Sequence, residues 1–249
     1  MNYNERNAHA RDSRLLFDAD THSYFVRMAD DTLQPCDSVT TIVDGLFEPF
    51  DAEYWAKRKA TPTRTAEDIM REWAENGLLA SKLGTALHDN IERHYLGLET
   101  TEDMSGDKAF GHFLRFAAGR TLMPFRSEWR IFSERFRVAG TLDFLAMDES
   151  GYHLWDWKRS SKVVKDGRVV REAFGHKCGL RPEVAHIEDT SFWHYALQLS
   201  LYRYILETEY GIEVLDAHLG VFHPNYECPY VVEVPYLRHE AAAILEGRL

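Results

Sequence analysis

The stretch that decides the fold runs Gly140-Thr-Leu-Asp143-Phe-Leu-Ala-Met-Asp-Glu-Ser-Gly-Tyr-His-Leu-Trp-Asp156-Trp-Lys158. Two largely apolar runs flank Asp148-Glu-Ser-Gly151, a cluster of turn formers, and read as an antiparallel hairpin. Residues equidistant from that turn face each other, which places Asp143 opposite Asp156, Leu142 opposite Trp157 and Phe144 opposite Trp155. Alternation then predicts one wholly apolar face and puts both carboxylates, with Lys158 two residues beyond, on the other. Like charges directly opposed on a sheet repel, and a divalent cation would remove the conflict. The plainer alternative is that the aspartates form the solvent side of a half-exposed hairpin, screened by Lys158.

Upstream, residues 127–158 as a whole read as sheet, with short runs rich in Trp, Phe, Ile and Val. Earlier segments are mostly helical. Residues 39–46 follow an N-cap at Asp37-Ser38, residues 52–59 lie between Pro49 and Pro62, and residues 66–76 and 79–96 carry apolar side chains at three- and four-residue spacing. A small hairpin is expected where residues 15–18 and 24–26 flank Asp20-Thr-His-Ser, and the first dozen residues, all but apolar-free, are expected to fray. Downstream come a polar, basic, loop-like stretch to about Thr190 and a long aromatic helix over residues 191–209, ended by Gly211. Closing strands are expected over 214–222 and 230–234, with a last helix from Arg238. No repeat, low-complexity tract or linker divides the chain. The expectation is an α/β (α+β) fold, a central mixed β-sheet flanked by helices, in one domain over residues 1–249: a hairpin and helical lobe to residue 80, a core over 81–235 and a C-terminal helix over 236–249.

Composition bounds the class. The 249 residues are 45% hydrophobic, 28% charged and 13% aromatic, a globular balance. No apolar run approaches the roughly 18 residues of a spanning helix, and the N-terminus has no apolar signal core, so a soluble, cytoplasmic protein without a membrane partner is expected. Cys36, Cys178 and Cys228 are scattered and odd in number, which fits a reducing compartment and speaks against a cysteine-ligated zinc or iron-sulfur cluster. No Gly-x-x-x-x-Gly-Lys-[Ser/Thr] loop is present, so no ATP use is expected.

With 29 Lys+Arg against 40 Asp+Glu, the net charge of -11 at first disfavours nucleic acid. Its distribution is uneven. Residues 158–181 hold eight basic residues against Asp166 and Glu172, a local charge of +6. Arg159, Lys162, Lys165, Arg168 and Arg171 are therefore candidates for tracking a phosphate backbone, in a segment expected to be mobile and to order on DNA, with Phe174 as a stacking candidate. The alternative is a solvated charged loop.

Two helices add chemistry. His88 and Glu92 lie four apart, hence on one helical face, in Gly84-Thr-Ala-Leu-His88-Asp-Asn-Ile-Glu92. Their spacing does not match the His-Glu-x-x-His zinc-protease motif. On the aromatic helix, His194, Gln198 and Tyr202 recur every four residues as a polar-tipped stripe. Together, Gly84-x-x-x-His88-x-x-x-Glu92, Gly140-x-x-Asp143, Asp156-x-Lys158 and Gln198-x-x-x-Tyr202 resemble, in order and rough spacing, the PD-(D/E)xK nuclease superfamily, in particular its RecB-like exonuclease branch and the stand-alone, phage-type members. The match covers about half the chain. The Pro-Asp pair is replaced by Leu-Asp before the first aspartate, and the four cysteines of cluster-bearing members are absent.

This resemblance implies a restriction-endonuclease-like core with a helical N-terminal lobe, and a metal-dependent DNA exonuclease that yields 5′-phosphate products in DNA recombination, repair or processing. It implies Mg²⁺ or Mn²⁺ held by His88, Asp143, Asp156 and the main-chain carbonyl of Trp157, the imidazole favouring Mn²⁺. Lys158 would orient or help deprotonate the attacking water. Gln198 and Tyr202 would place the DNA strand, and either Glu92 or Glu128 would be the additional acidic residue. DNA, single- or double-stranded and met at its ends, is the expected partner, with a recombination or repair protein as a second. Two other functions fit the same residues, an inactive DNA-end-binding module and a structure-selective endonuclease.

Overall fold

The computed structural model describes residues 1–248. The strands are β1 (Leu15–Asp18), β2 (Ser23–Arg27), β3 (Leu33–Ser38), β4 (Pro124–Ser133), β5 (Val138–Met147), β6 (Tyr152–Lys158), β7 (Val164–Lys165), β8 (Arg168–Val169), β9 (Val214–Val221) and β10 (Tyr230–Val234). The α-helices are α1 (Tyr3–Arg6), α2 (Val39–Asp44), α3 (Ala52–Lys59), α4 (Ala66–Tyr95), α5 (Lys108–Gly119), α6 (Ser191–Ile205) and α7 (Arg238–Glu246). Eight strands form one mixed sheet in the order β1-β2-β3-β5-β6-β9-β10, with β4 also on β5; β7 and β8 form a separate two-stranded hairpin. The expected α/β fold with helices around a central mixed sheet is what the chain adopts.

Helices cover both faces of the sheet. On one side α4 and α5 pack Leu87, Ile91, Phe110, Phe113 and Phe116 against Phe144, Trp155 and Trp157. On the other, α2, α6 and α7 pack against Leu142, Leu145, Leu154 and Leu219. Helix α6 is buried on most of its circumference, as an apolar helix inside a layered core must be. Strand β6 is consequently buried on both sides, from Leu154 through Trp157. Its parallel partner β9 sets Gly220 against Trp157, where a Cβ would come within 2.6 Å of the indole.

The β5–β6 register is the expected one where the strands pair, with Phe144 opposite Trp155 and Met147 opposite Tyr152, but the ladder ends at Phe144 and the expected Asp143–Asp156 and Leu142–Trp157 pairs are not formed. The expected single apolar face is not formed. Phe144 faces α4 and α5, whereas Leu142 faces the α6 side with Leu145, so β5 changes face at Asp143. The cause lies in the neighbouring strand, where Glu128 holds a positive φ of 44° between the pairs Ser127↔Phe144 and Trp129↔Leu142. The pairs on either side keep one register, so the kink re-aims side chains without inserting a residue.

Other local expectations are revised by packing. The two helices expected over 66–76 and 79–96 are one helix, α4, started by a Thr65–Asp68 capping box and continuing through Gly77. A third strand, β3, extends the N-terminal hairpin and pairs with β5 in parallel. The N-terminal dozen residues are docked rather than frayed. Asn2 and Glu5 form a capping box for α1, Tyr3 is 5% exposed, and Asn4, Asn7 and Asp12 bond to β4 at Ser127, Phe125 and Trp129. This segment covers the free edge of β4, which would otherwise present unpaired backbone. Helix α6 runs into a π-turn over Leu206–Tyr210 before the expected stop at Gly211, in the left-handed conformation. Among the described residues, no helix is long and apolar enough to cross a membrane.

Candidate metal centre at a split in the sheet

One edge of β5 is taken by β4 along nearly its whole length. The other edge is shared. Strand β3 pairs only with Val138 and Ala139, and β6 begins to pair at Phe144. Between them the edge at Gly140–Asp143 is free, and the sheet opens into a cavity of about 690 Å³ lined by residues of the β1–β2 hairpin, α4, β4, β5, β6 and α6.

Four elements deliver the chemical groups. Leu87 and Ile91 seat α4 in the core, and His88 between them reaches the cavity. Its Nδ1 lies 3.6 Å from Asp143 Oδ2 and 3.7 Å from Glu128 Oε1, while Nε2 is 2.7 Å from the Trp157 carbonyl oxygen. The Trp157 amide donates to Asp143 Oδ2 at 2.7 Å, so the side chain of Asp143 takes the place of a ladder bond where β5 and β6 diverge. Ligand atoms of His88, Glu128 and Asp143 all lie within 4.8 Å of one another. Burial works against the imidazolium, but Asp143 and then Glu128 outweigh it and raise His88 to about 9.

On the α6 side, Asp156 is 2% exposed, which excludes the solvent-facing hairpin. Both its oxygens lie within 2.9 Å of Lys158 Nζ, and Gln198 Nε2 donates to Oδ1 at 3.3 Å. Burial raises the Asp156 carboxyl to about 7; Lys158 opposes that rise and Asp143 adds to it. Burial also works against the Lys158 ammonium, but Asp156 and then Asp143 outweigh it and hold it above the usual lysine range. Lys158 further sits over the Tyr195 ring, 4.6 Å from its centroid. Tyr202 closes the floor, 3% exposed, its phenol pushed well up by burial. The ring occupies the space a Cβ at position 140 would need, 2.6 Å from Cε1, so Gly140 is required by this approach.

The expected ligand set is therefore rearranged. His88 and Asp143 meet as expected, and Glu128 joins them. Glu92 does not: its Oε1 accepts from Ser127 Oγ at 2.8 Å and serves the docking of α1. The Asp156 carboxylate is turned to Lys158 and Gln198, outside the three-residue group, and the Trp157 carbonyl meets the second nitrogen of His88. Gln198 and Tyr202 line the cavity as expected. Of the two acidic candidates, Glu92 and Glu128, only the β4–β5 register selects Glu128, by setting it opposite Asp143. Tyr195 had a helical signal, three residues before Gln198. Tyr24, whose hydroxyl bonds Thr141 Oγ1 at 2.9 Å, had none.

The donor set fits a divalent cation. One imidazole and two carboxylates converge without a hydrogen bond between the carboxylates, and His88 has its other nitrogen on a backbone carbonyl, the usual arrangement of a metal-bound histidine. Hard oxygens with one nitrogen suit Mg²⁺ or Mn²⁺.

The basic segment is narrower than its composition. Arg159, expected on the DNA track, is 11% exposed and paired with Asp107 at 3.3 Å. Lys158, Lys177 and Arg181 also have acidic partners. Lys162, Lys165, Arg168 and Arg171 have none within salt-bridge distance among the described residues, and all four are exposed. Lys165 and Arg168 face each other across the β7–β8 hairpin, whose turn is Asp166-Gly167, both at positive φ. Buried Val163 and Val164 anchor this hairpin, so the stretch read as a loop is packed on the body. Phe174 is 92% exposed.

No protein-family model matches the chain, and no curated protein matches it. Among solved structures, that of SSO0001 aligns over 85% of this chain and 76% of its own, at 13% identity and a TM-score of 0.35.

Proposed function

We infer that the chain is a divalent-metal-dependent nuclease that hydrolyses DNA phosphodiester bonds, acting as an exonuclease and leaving 5′-phosphate ends. The observation that carries this reading is the convergence, at one split in the sheet, of the His88–Glu128–Asp143 group with the buried Asp156–Lys158 pair. Helix α4 and the consecutive strands β4, β5 and β6 supply these groups, and a purely structural sheet has no use for three carboxylates around one cavity. The motifs shared with the RecB-like branch of the PD-(D/E)xK superfamily support the same reading.

His88, Glu128 and Asp143 would hold Mg²⁺ or Mn²⁺. The bound cation would supply Lewis acidity and a lowered water pKa. Lys158 is charged in its ion pair, so it orients the attacking water by donating a hydrogen bond and does not start as a base. Asp156 fixes the Lys158 ammonium, and Gln198 fixes Asp156. Lys162, Lys165 and Arg168 supply an electrostatic track for the strand.

An end-labelled oligonucleotide assay with Mg²⁺, Mn²⁺ or EDTA tests this, with circular DNA as the control for end dependence. Loss of cleavage in Asp143→Asn and Lys158→Met proteins that melt cooperatively supports the assignment. Metal-independent cleavage, or full activity in Asp143→Asn, overturns it.

A further inference from the structure

Of the cationic side chains that line the cavity, Lys158 is committed to Asp156, whereas Arg130 has no carboxylate within salt-bridge distance and no hydrogen-bond partner among the described residues. It projects from β4 two residues beyond Glu128 and lines the same cavity. Its guanidinium lies 4.7 Å from the centroid of the Phe17 ring, which holds it in place without neutralising it. Phe17 is one of three rings in a small aromatic wall, with His22 at 5.1 Å edge-on and Tyr24 at 4.8 Å. These three rings belong to the β1–β2 hairpin and line the same cavity. The guanidinium of Arg130 therefore opens onto this cavity with its charge unpaired. Beside an aromatic wall it has the chemistry of a nucleotide subsite, a planar fork for phosphate and ring faces for a base.

We propose that Arg130 binds a phosphate of the nucleic-acid strand adjacent to the one being cleaved, and that Phe17 and His22, backed by the buried Tyr24, form the wall against which the neighbouring nucleotide packs. This rests on the nuclease reading. Strand spacing puts residues 128 and 130 about 7 Å apart along β4, a one-nucleotide step from the metal-binding carboxylates. Arg130 is then a substrate-positioning residue, and the β1–β2 hairpin is part of the active site.

The test is a scan with oligonucleotides in which each linkage in turn is a neutral methylphosphonate, cleaved by wild-type protein and by Arg130→Gln and Arg130→Lys. Arg130 is exposed and makes no other bond, so both variants are expected to melt like wild type. On unmodified DNA, Arg130→Gln is expected to lose about 10- to 100-fold in kcat/KM, the range of one charge-assisted bond, with Arg130→Lys between it and wild type. The discriminating result is a single linkage beside the cleaved one whose neutralisation costs wild type a similar factor and costs Arg130→Gln almost nothing. A merely structural role for Arg130 would not produce that dependence. Failure of wild type to cleave unmodified DNA with either metal removes the nuclease reading and this proposal with it. Wild-type cleavage with no linkage showing that overlap overturns the proposal alone.

Discussion

In the absence of divalent cations, His88 should tie stability to pH. Asp143 and Glu128 raise its imidazole from 6.5 to about 9 against the cost of burial. A raised pKa means that the folded chain binds the proton more tightly than the unfolded one. The stabilisation is therefore complete below pH 6.5 and lost as pH climbs through 9. A shift of 2.5 units at about 1.36 kcal/mol per unit makes the contribution about 3 kcal/mol. Urea unfolding in EDTA, of wild type and His88→Gln between pH 6 and 9.5, isolates it. The stability difference between the two proteins should shrink by about 3 kcal/mol across that range. Taking the difference at and above pH 7 limits interference from Asp156, whose carboxyl, raised to about 7, loses stability mainly at lower pH. Mn²⁺ should reverse the trend in wild type, because the cation and the proton compete for the same group and binding to the folded state grows as the proton leaves. Parallel curves for wild type and His88→Gln in EDTA would refute the placement of His88 between two carboxylates. A Mn²⁺ stabilisation independent of pH would refute its role as a ligand.

Glu128→Gln is expected to weaken Mn²⁺ binding by calorimetry and to abolish hydrolysis. Glu92→Gln should keep both and instead cost about 1–2 kcal/mol in unfolding, the loss of a charged acceptor for Ser127. Gly140→Ala should destabilise by about 1–3 kcal/mol through overpacking against Tyr202, and Tyr202→Ala in the same chain should cost less than the sum of the two changes, checked by a double-mutant cycle in urea. Replacing Lys162, Lys165 and Arg168 by Ala should reduce the slope of log K against log salt by roughly 2 to 3, at about 0.9 per phosphate contact. Arg159→Ala should leave that slope unchanged, because Asp107 already holds the guanidinium.

The hairpin over 140–158 was legible because a tight turn and a two-residue period fix its register together. What escaped was non-local. The face change at Asp143 comes from a positive φ at Glu128, a residue type that carries no signal for it. Gly77 and its surroundings read as a break, yet one glycine costs about 1 kcal/mol, less than a 30-residue helix with a capping box and a core-facing stripe recovers by continuing. Strand β3 was not expected; it carries Pro35, a residue disfavoured inside a ladder, and forms because β2 on one side and the first residues of β5 on the other both pair with it. The N-terminal capping box, Asn2 to Glu5, was written locally. Its anchor, Ser127, lies more than a hundred residues away. In the site, the Asp143 and Asp156 positions, His88, Lys158, Gln198 and Tyr202 were readable as motifs, while the choice of Glu128 over Glu92 required knowing which strand lies beside β5.

The charges around the cavity connect the metal to the substrate. Counted by formal charge, Glu128, Asp143 and Asp156 against Lys158 leave two negative charges. One divalent cation with neutral His88 cancels them, whereas protonated His88 alone leaves one uncancelled, which is why proton and cation should exchange as pH rises. A phosphodiester then brings a further negative charge into a site already balanced. Lys158 cannot meet it without leaving Asp156 buried and unpaired, a change that costs about 3–5 kcal/mol in comparable pairs. Arg130, free and in the same cavity, can meet it at no such cost. Metal stoichiometry therefore bears on the whole arrangement. One Mn²⁺ per chain in the complex of the unsubstituted protein with a cleavage-resistant DNA that keeps its phosphate charges leaves the incoming phosphate to Arg130, whereas two would neutralise it without the guanidinium and remove the electrostatic reason for its place in the wall.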